Sequence, residues 1–174
     1  MRVLMIIPAY NEEESIFDTV TSILSYRKKV DFDLDYVIIN DGLTDKTKQI
    51  LEENHFNAVN LVMNLGIGCA VQMGYKYALE HDYDVAVQFD GDGQHDIESL
   101  SDLLEPIRKN EADLVIGSRF VGDVKSEFQT TFMRRFGISV ISNLIKWTTG
   151  QRVLDTTSGY RLADKDVIKQ FAKR

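Results

Sequence analysis

The chain has a single cysteine, Cys69, so an internal disulfide is excluded. That fits a reducing compartment. Cys69 lies in a small-residue segment and is expected to pack as a small apolar side chain rather than act as a nucleophile. Prolines are nearly as scarce, with only Pro8 and Pro106 present, and no low-complexity linker divides the chain. Long apolar runs are missing as well. No stretch reaches the roughly 18 apolar residues that a membrane span needs. The opening run Met1 to Pro8 is too short and too soon interrupted for a signal peptide. Positive charge is in deficit, with 20 Lys and Arg against 27 Asp and Glu and a net charge of −7. A generally acidic surface argues against nucleic acid as the main partner. No internal repeat is present.

What is there is an ordinary globular composition, 44% hydrophobic and 27% charged over 174 residues. That is enough for one domain with a real core. Strand and helix signals alternate. Val3 to Ile7 is a short apolar run closed by Pro8. Ile16, Val20, Ile23 and Leu24 then recur at helical spacing. Tyr36 to Ile39 reads as the second strand, Asp45 to Glu53 as a polar helix, and Val59 to Met63 as the third strand. Val71 to Leu79 is a strong helix and Val85 to Phe89 the fourth strand. Leu100, Leu103, Leu104 and Ile107 mark another helix, and Leu114 to Ile116 a fifth strand. This order predicts an α/β fold with a mostly parallel central sheet and helices on both faces. Phe132 to Trp147 reads as an amphipathic helix carrying Arg134, Arg135 and Lys146. Residues 168–174 stop on a helical pattern without a cap. The expectation is one catalytic domain over 1–174, truncated at its C-terminus.

In open α/β sheets, ligands sit outside the carboxyl ends of the strands. Five polar loops fall there: Pro8 to Glu13, Asn40 to Asp45, Asn64 to Gly68, Asp90 to His95 and Gly117 to Arg119. The most telling is Asp90-Gly91-Asp92-Gly93-Gln94-His95, directly after the fourth strand. Two carboxylates one residue apart, with glycines that let the backbone turn and a bulky anion approach, can converge on one hard cation. Mg²⁺ and Mn²⁺ prefer such oxygen ligands and commonly bridge carboxylates to substrate phosphates. Asp and Gly are also turn residues, so a polar turn is the plainer alternative. Asn64-Leu65-Gly66-Ile67-Gly68 precedes a helix, where backbone N–H groups can meet a phosphate, or where Gly66 and Gly68 simply serve the turn. The spacing is neither a Walker loop nor a dinucleotide fingerprint. Arg135, Ser139 and Asn143 are spaced four apart and share one helix face.

Six segments carry a resemblance. They are Ile7-Pro8-Ala9-Tyr10-Asn11-Glu12-Glu13, Asn40-Asp41-Gly42-Leu43-Thr44-Asp45, Asn64-Leu65-Gly66-Ile67-Gly68, Asp90-Gly91-Asp92-Gly93-Gln94-His95, Gly117-Ser118-Arg119 and Asp155-Thr156-Thr157-Ser158-Gly159-Tyr160-Arg161. Each is moderately specific; all six in this order are strongly so. From Val3 to Arg161 the chain resembles the inverting family 2 glycosyltransferases of the GT-A (nucleotide-diphospho-sugar transferase) fold. It looks closest to the dolichol-phosphate-mannose-synthase-like group, which moves a sugar from a nucleotide onto a polyprenyl phosphate. The resemblance implies that Pro8, Ala9, Tyr10 and Glu12 line a nucleoside pocket, that Asp41 binds the base and that Gly66 packs on the nucleotide. Proline and an aromatic ring do make an apolar wall for a base, and a carboxylate accepts from a ring N–H. Position 43 usually carries serine, so Leu43 removes a hydroxyl. On the plainer alternative, Asp45 is only an N-cap for the next helix.

By the same resemblance, Asp92 and Gln94 contact a Mg²⁺ or Mn²⁺ ion, and Asp90 contacts nucleotide or metal. His95 reads better as a turn-stabilising side chain. Arg119, Arg135 and Ser139 match the pattern that grips the acceptor phosphate, and a guanidinium forks onto phosphate oxygens in bidentate fashion. Arg161 joins them on the acceptor phosphate or the diphosphate. Asp92, Asp155 and Arg119 are the expected catalytic set. A polyprenyl phosphate is already an anion, so Asp155 would orient it or the sugar rather than act as a base. The expected activity is metal-assisted sugar transfer from a UDP- or GDP-sugar to a polyprenyl phosphate in cell-wall biogenesis. The enzyme would be cytoplasmic and peripheral at the membrane face, with no nucleic-acid partner. The alternative is a family 2 enzyme extending a polysaccharide or glycolipid at a sugar hydroxyl. A non-catalytic nucleotide-binding protein is disfavoured by the intact Asp90, Asp92 and Gln94 set. A nucleotidyltransferase is disfavoured because no lysine-rich loop lies near the N-terminus.

Overall fold

The computed structural model describes residues 1–42, 44–90, 96–117 and 159–173. In chain order its elements are β1 (Arg2–Ala9), α1 (Ile16–Arg27), β2 (Asp33–Asn40), α2 (Thr47–Glu53), β3 (Ala58–Asn60) and α3 (Ile67–Glu80). There follow β4 (Val85–Gln88), a 3₁₀ turn (Ile97–Ser99), α4 (Leu100–Arg108), β5 (Leu114–Ile116), β6 (Arg161–Asp164) and α5 (Lys165–Ala172). The strands form a six-stranded sheet in the order β3-β2-β1-β4-β6-β5.

β1 is the centre because its side chains are apolar on both faces. Val3, Leu4, Met5, Ile6 and Ile7 are all 0% exposed. A strand covered on both sides must read as a continuous apolar run rather than an alternation. Its odd positions Val3, Met5 and Ile7 pack with Ile16, Val20 and Ile23 of α1 and with Leu100 and Leu104 of α4. Its even positions Leu4 and Ile6 pack with Ala70, Tyr75 and Ala78 of α3 and Ile168 of α5. Helices therefore cover both faces, as expected. β1 pairs parallel with β2 and with β4, and β2 with β3. Pro8 sits in this central strand without breaking a ladder. Ile6 accepts from the Phe89 amide on the β4 side. The missing N–H of Pro8, two residues on, faces the same side beyond β4's last paired residue, Gln88.

The structure departs from the sequence reading in several places. The third strand ends at Asn60 rather than Met63. Val62 is 92% and Met63 61% exposed, so the chain has left the sheet although its side chains remain apolar. The helix expected from Asp45 begins at Thr47. The last motif also does more than form a loop. Arg161 to Asp164 make a sixth strand, antiparallel to both β4 and β5 and inserted between them. Asp164 closes that strand and caps α5, its carboxylate accepting from the amides of Asp166 at 3.0 Å and Val167 at 2.9 Å.

α3 lies against β1 through Gly74. A Cβ at that position would overlap Cγ2 of Ile6 and come within 2.9 Å of its Cγ1. Gly74→Val should therefore destabilise the protein by about 1–3 kcal/mol through overpacking. A urea midpoint unchanged from wild type would show that α3 does not pack this closely.

Candidate active site

The first two loops are laced together by short polar side chains. The Glu12 amide donates to Oγ1 of Thr47 at 2.9 Å. That hydroxyl donates in turn to Oδ2 of Asp45 at 2.7 Å, which also accepts from the Glu13 amide at 3.1 Å. Asp45 accepts from the Thr47 amide as well, tying the two loops to the start of α2; the N-cap position itself falls on Lys46, which corrects the expected N-cap at Asp45. Thr44 Oγ1 donates to Oδ1 of Asn11 at 2.8 Å, and Asn11 has a left-handed φ of 56°. Gly42 is pressed on the first loop, since a Cβ there would lie 3.0 Å from the Asn11 amide nitrogen.

Asp41 organises the third loop. It is only 3% exposed. Its Oδ1 accepts from the Leu65 amide and its Oδ2 from the Gly66 amide, both at 2.7 Å. These two amides are thus taken up within the protein, which favours the turn reading of this loop over a phosphate contact for them. Each carboxylate oxygen keeps a second lone pair for a ligand. Gly66 has φ 84°, a conformation that glycine adopts without strain, and it opens α3. Its amide is shared with Oδ1 of Asn64. Beneath the loop, Asn40 Nδ2 donates to Asn60 Oδ1 at 2.8 Å, locking the ends of β2 and β3.

These loops enclose a cavity of about 360 Å³ lined by Pro8, Ala9, Tyr10, Glu12, Asp41, Asn64, Gly66, Ile67 and Ala70. The six residues expected around a nucleoside from the first three loops all line it. Tyr10 is 52% exposed, which leaves a ring face open for stacking. A second cavity of about 750 Å³ shares Gly66 and Ile67 with the first. It is walled mainly by apolar groups of α3, β5 and Phe171, with Gln72, Gln88 and Arg161 as polar points. The carboxylate of Asp41, the proline and the open aromatic ring line the smaller cavity instead. Cys69 lines the larger cavity and is exposed, which corrects its expected packing. α3 buries Ala70, Gly74, Tyr75 and Ala78, and Cys69 falls just outside that stripe.

β6 brings the end of the last motif, Gly159 to Arg161, back to the end of β4 and Asp90. Gln88 is in register with Arg161. Gly159 lies directly on the Asp90 side chain, where a Cβ would overlap the carboxylate. Tyr160 is buried and meets Phe89 edge-on at 5.4 Å between ring centroids. Arg161 lies near Tyr75, whose hydroxyl burial pushes up to about 12 while the guanidinium pulls it back. Leu43, Asp92, Gln94, His95, Arg119, Arg135, Ser139, Asn143 and Asp155 lie outside the described residues. Among the described residues no three His, Cys, Asp or Glu side chains gather as a metal-holding group. Carboxylates with an amide oxygen are nonetheless a hard donor set of the kind Mg²⁺ or Mn²⁺ takes; of the three residues expected to form it, Asp90, just past the end of β4 and backed by Gly159, is the one among the described residues.

Comparison with known proteins decides what this arrangement belongs to. The sequence profile of glycosyl transferase family 2 matches residues 5–171. The chain belongs to that family. This family 2 glycosyltransferase is 31% identical to a UDP-N-acetylglucosamine–dolichyl-phosphate N-acetylglucosaminyltransferase of Methanococcus voltae, covering 99% of this chain and 73% of that protein. It is 35% identical to an undecaprenyl-phosphate mannosyltransferase of Micrococcus luteus, covering 97% and 69%. The fold matches glucosyl-3-phosphoglycerate synthase of Mycobacterium tuberculosis, solved with Mn²⁺, UDP-glucose and phosphoglyceric acid, with a TM-score of 0.67 at 20% identity. That match covers 95% of this chain and 57% of the synthase chain. The GT-A fold expected from the six segments is thus borne out.

The sequence reading missed several parts of this family 2 site. Thr47 is fully buried at the start of α2 and holds the first loop by its hydroxyl, with no motif to announce it. Asn64, which opens the third motif but has no role of its own in the sequence reading, and Ala70, just beyond that motif, also line the cavity. Gly159 stands in a motif, but nothing in the sequence signals its seat on Asp90.

Two outcomes follow from these contacts. Asp41→Asn puts an NH₂ donor against a backbone donor and should cost about 1–3 kcal/mol. Amide hydrogen exchange should quicken at Leu65 and Gly66; retained protection there would show that Asp41 does not hold the loop. Gly159→Ala should destabilise by about 1–3 kcal/mol as the new methyl meets Asp90, and by clearly less in an Asp90→Gly background. Additive losses in unfolding experiments would refute the contact.

Proposed function

We propose that this glycosyltransferase moves a sugar from a nucleoside-diphosphate donor, UDP-linked by preference, to a polyprenyl phosphate presented at a membrane surface. The observation that carries the donor half is the smaller cavity, where Pro8, Tyr10, Glu12 and the Asp41 carboxylate converge. The acceptor half is supported by the two relatives whose names specify dolichyl- and undecaprenyl-phosphate. The UDP preference is supported by the nucleotide in the Methanococcus relative's name.

In this reading Tyr10 and Pro8 flank the base, and the free lone pairs of Asp41 accept from its ring N–H. Asp90, Asp92 and Gln94 would hold a Mg²⁺ or Mn²⁺ ion. When bound, it offsets the diphosphate charge that grows as the glycosidic bond breaks. Arg119, Arg135, Ser139 and Arg161 grip the acceptor phosphate, and Asp155 orients it or the sugar. One phosphate oxygen attacks the anomeric carbon from the face opposite the leaving group. A new C–O bond forms, the bond to the nucleoside diphosphate breaks, and the configuration inverts. The acceptor oxygen is already anionic, so no side chain has to remove a proton. The domain acts as one catalytic unit, peripheral at the cytoplasmic face.

Transfer of radiolabelled sugar from UDP-N-acetylglucosamine, UDP-glucose and GDP-mannose to a short polyprenyl phosphate in detergent tests this. Product is expected from a UDP-sugar, lost in EDTA and lost in Asp92→Ala. Transfer to a sugar hydroxyl but not to the lipid phosphate would replace the acceptor. Equal rates with and without metal would overturn the cation's role.

A further inference from the structure

The segment from Asn54 to Tyr75 contains no Asp, Glu, Lys or Arg, in a chain where those residues make up 27%. It runs through β3, over the carboxyl edge of the sheet and into α3. At its centre the connection turns apolar side chains outward. Val62 is 92% exposed, Met63 61%, Leu65 49% and Ile67 64%. A cluster of this kind on one loop marks a contact surface rather than chance exposure. It is continuous with the site, because Leu65 and Ile67 also wall the larger apolar cavity.

The loop is anchored on both sides of its tip. The Leu61 amide donates to the Asn40 carbonyl at 2.9 Å. Those of Leu65 and Gly66 donate to the buried Asp41 carboxylate.

We infer that Val62 and Met63, at the tip of the β3–α3 loop, insert into a lipid surface and aim the mouth of the site at the bilayer. This rests on the reading of the acceptor as a lipid phosphate, which reaches an enzyme only from a membrane. With no cation in the segment and a net charge of −7, the contact is apolar rather than electrostatic. It works on neutral lipid and is insensitive to salt.

Flotation of the full chain with phosphatidylcholine vesicles tests the inference. Wild type should float, and the Val62→Asp/Met63→Asp variant should show a bound fraction lower by about tenfold or more, two buried apolar groups having become carboxylates. Added salt should leave wild-type binding unchanged. Val62→Trp should add fluorescence that lipids brominated on their acyl chains quench. Equal flotation of wild type and double variant, no flotation of wild type, or an unquenched Val62→Trp signal would each overturn it. So would a lipid-free dimer that the double variant dissociates, which would assign the patch to a second copy of the chain. The detergent assay separates this from the acceptor reading. There the double variant should transfer sugar as fast as wild type. If neither transfers, the acceptor reading fails, while the vesicle results still decide the loop.

Discussion

The site depends on one buried carboxylate. Asp41 stands at the end of β2, its amide bonded to the Ala9 carbonyl at the end of β1. Its two oxygens accept the amides of Leu65 and Gly66. Charged acceptors make shorter and stronger hydrogen bonds than neutral ones, and this one works where water scarcely reaches. β3 is only three residues long and could not by itself fix the loop that follows. The position of Gly66, the start of α3 and one wall of the smaller cavity are therefore set from β1 and β2 through a single side chain.

Around that joint the loops hold each other rather than the core. Thr47, Asp45, Glu12 and Glu13 form one connected set of hydrogen bonds between the first and second loops. A parallel sheet makes this possible, because it delivers the ends of β1 to β4 to one edge. Asn40, Asp41 and Thr47, all buried polar side chains, gather at that edge, while the helices close over the two faces of the sheet mainly through apolar contacts.

Much of this was legible in the sequence, for physical reasons. Strands buried on both faces must be apolar throughout, so β1, β2 and β4 announce themselves, and the alternating helices follow from their spacing. That Pro8, Ala9, Tyr10, Glu12, Asp41 and Gly66 come together was legible because they sit in motifs at predictable strand ends. What was not legible has equally plain causes. Leu61, Val62 and Met63 continue an apolar run, and nothing local says that the strand has ended. β6 is four residues, Arg-Leu-Ala-Asp, polar at both ends and without a periodicity to read. Cys69 sits among small residues, but its exposure is decided by which stripe of α3 meets the sheet. The inward turn of the Leu65 and Gly66 amides depends on Asp41, more than twenty positions earlier, a contact that no local pattern encodes.

The inserted sixth strand also governs the order in which the protein can be completed. Among the described strands β5 is hydrogen-bonded only to β6, since β6 stands between it and β4. As the chain leaves the ribosome, residues 114–116 emerge long before their partners at 161–164. The first four strands and their helices can condense while translation continues, but this edge of the sheet cannot close until β6 has been made. Gly159 reaches Asp90 only at that step. A nascent chain can thus form the smaller cavity well before Asp90 receives its backing from Gly159.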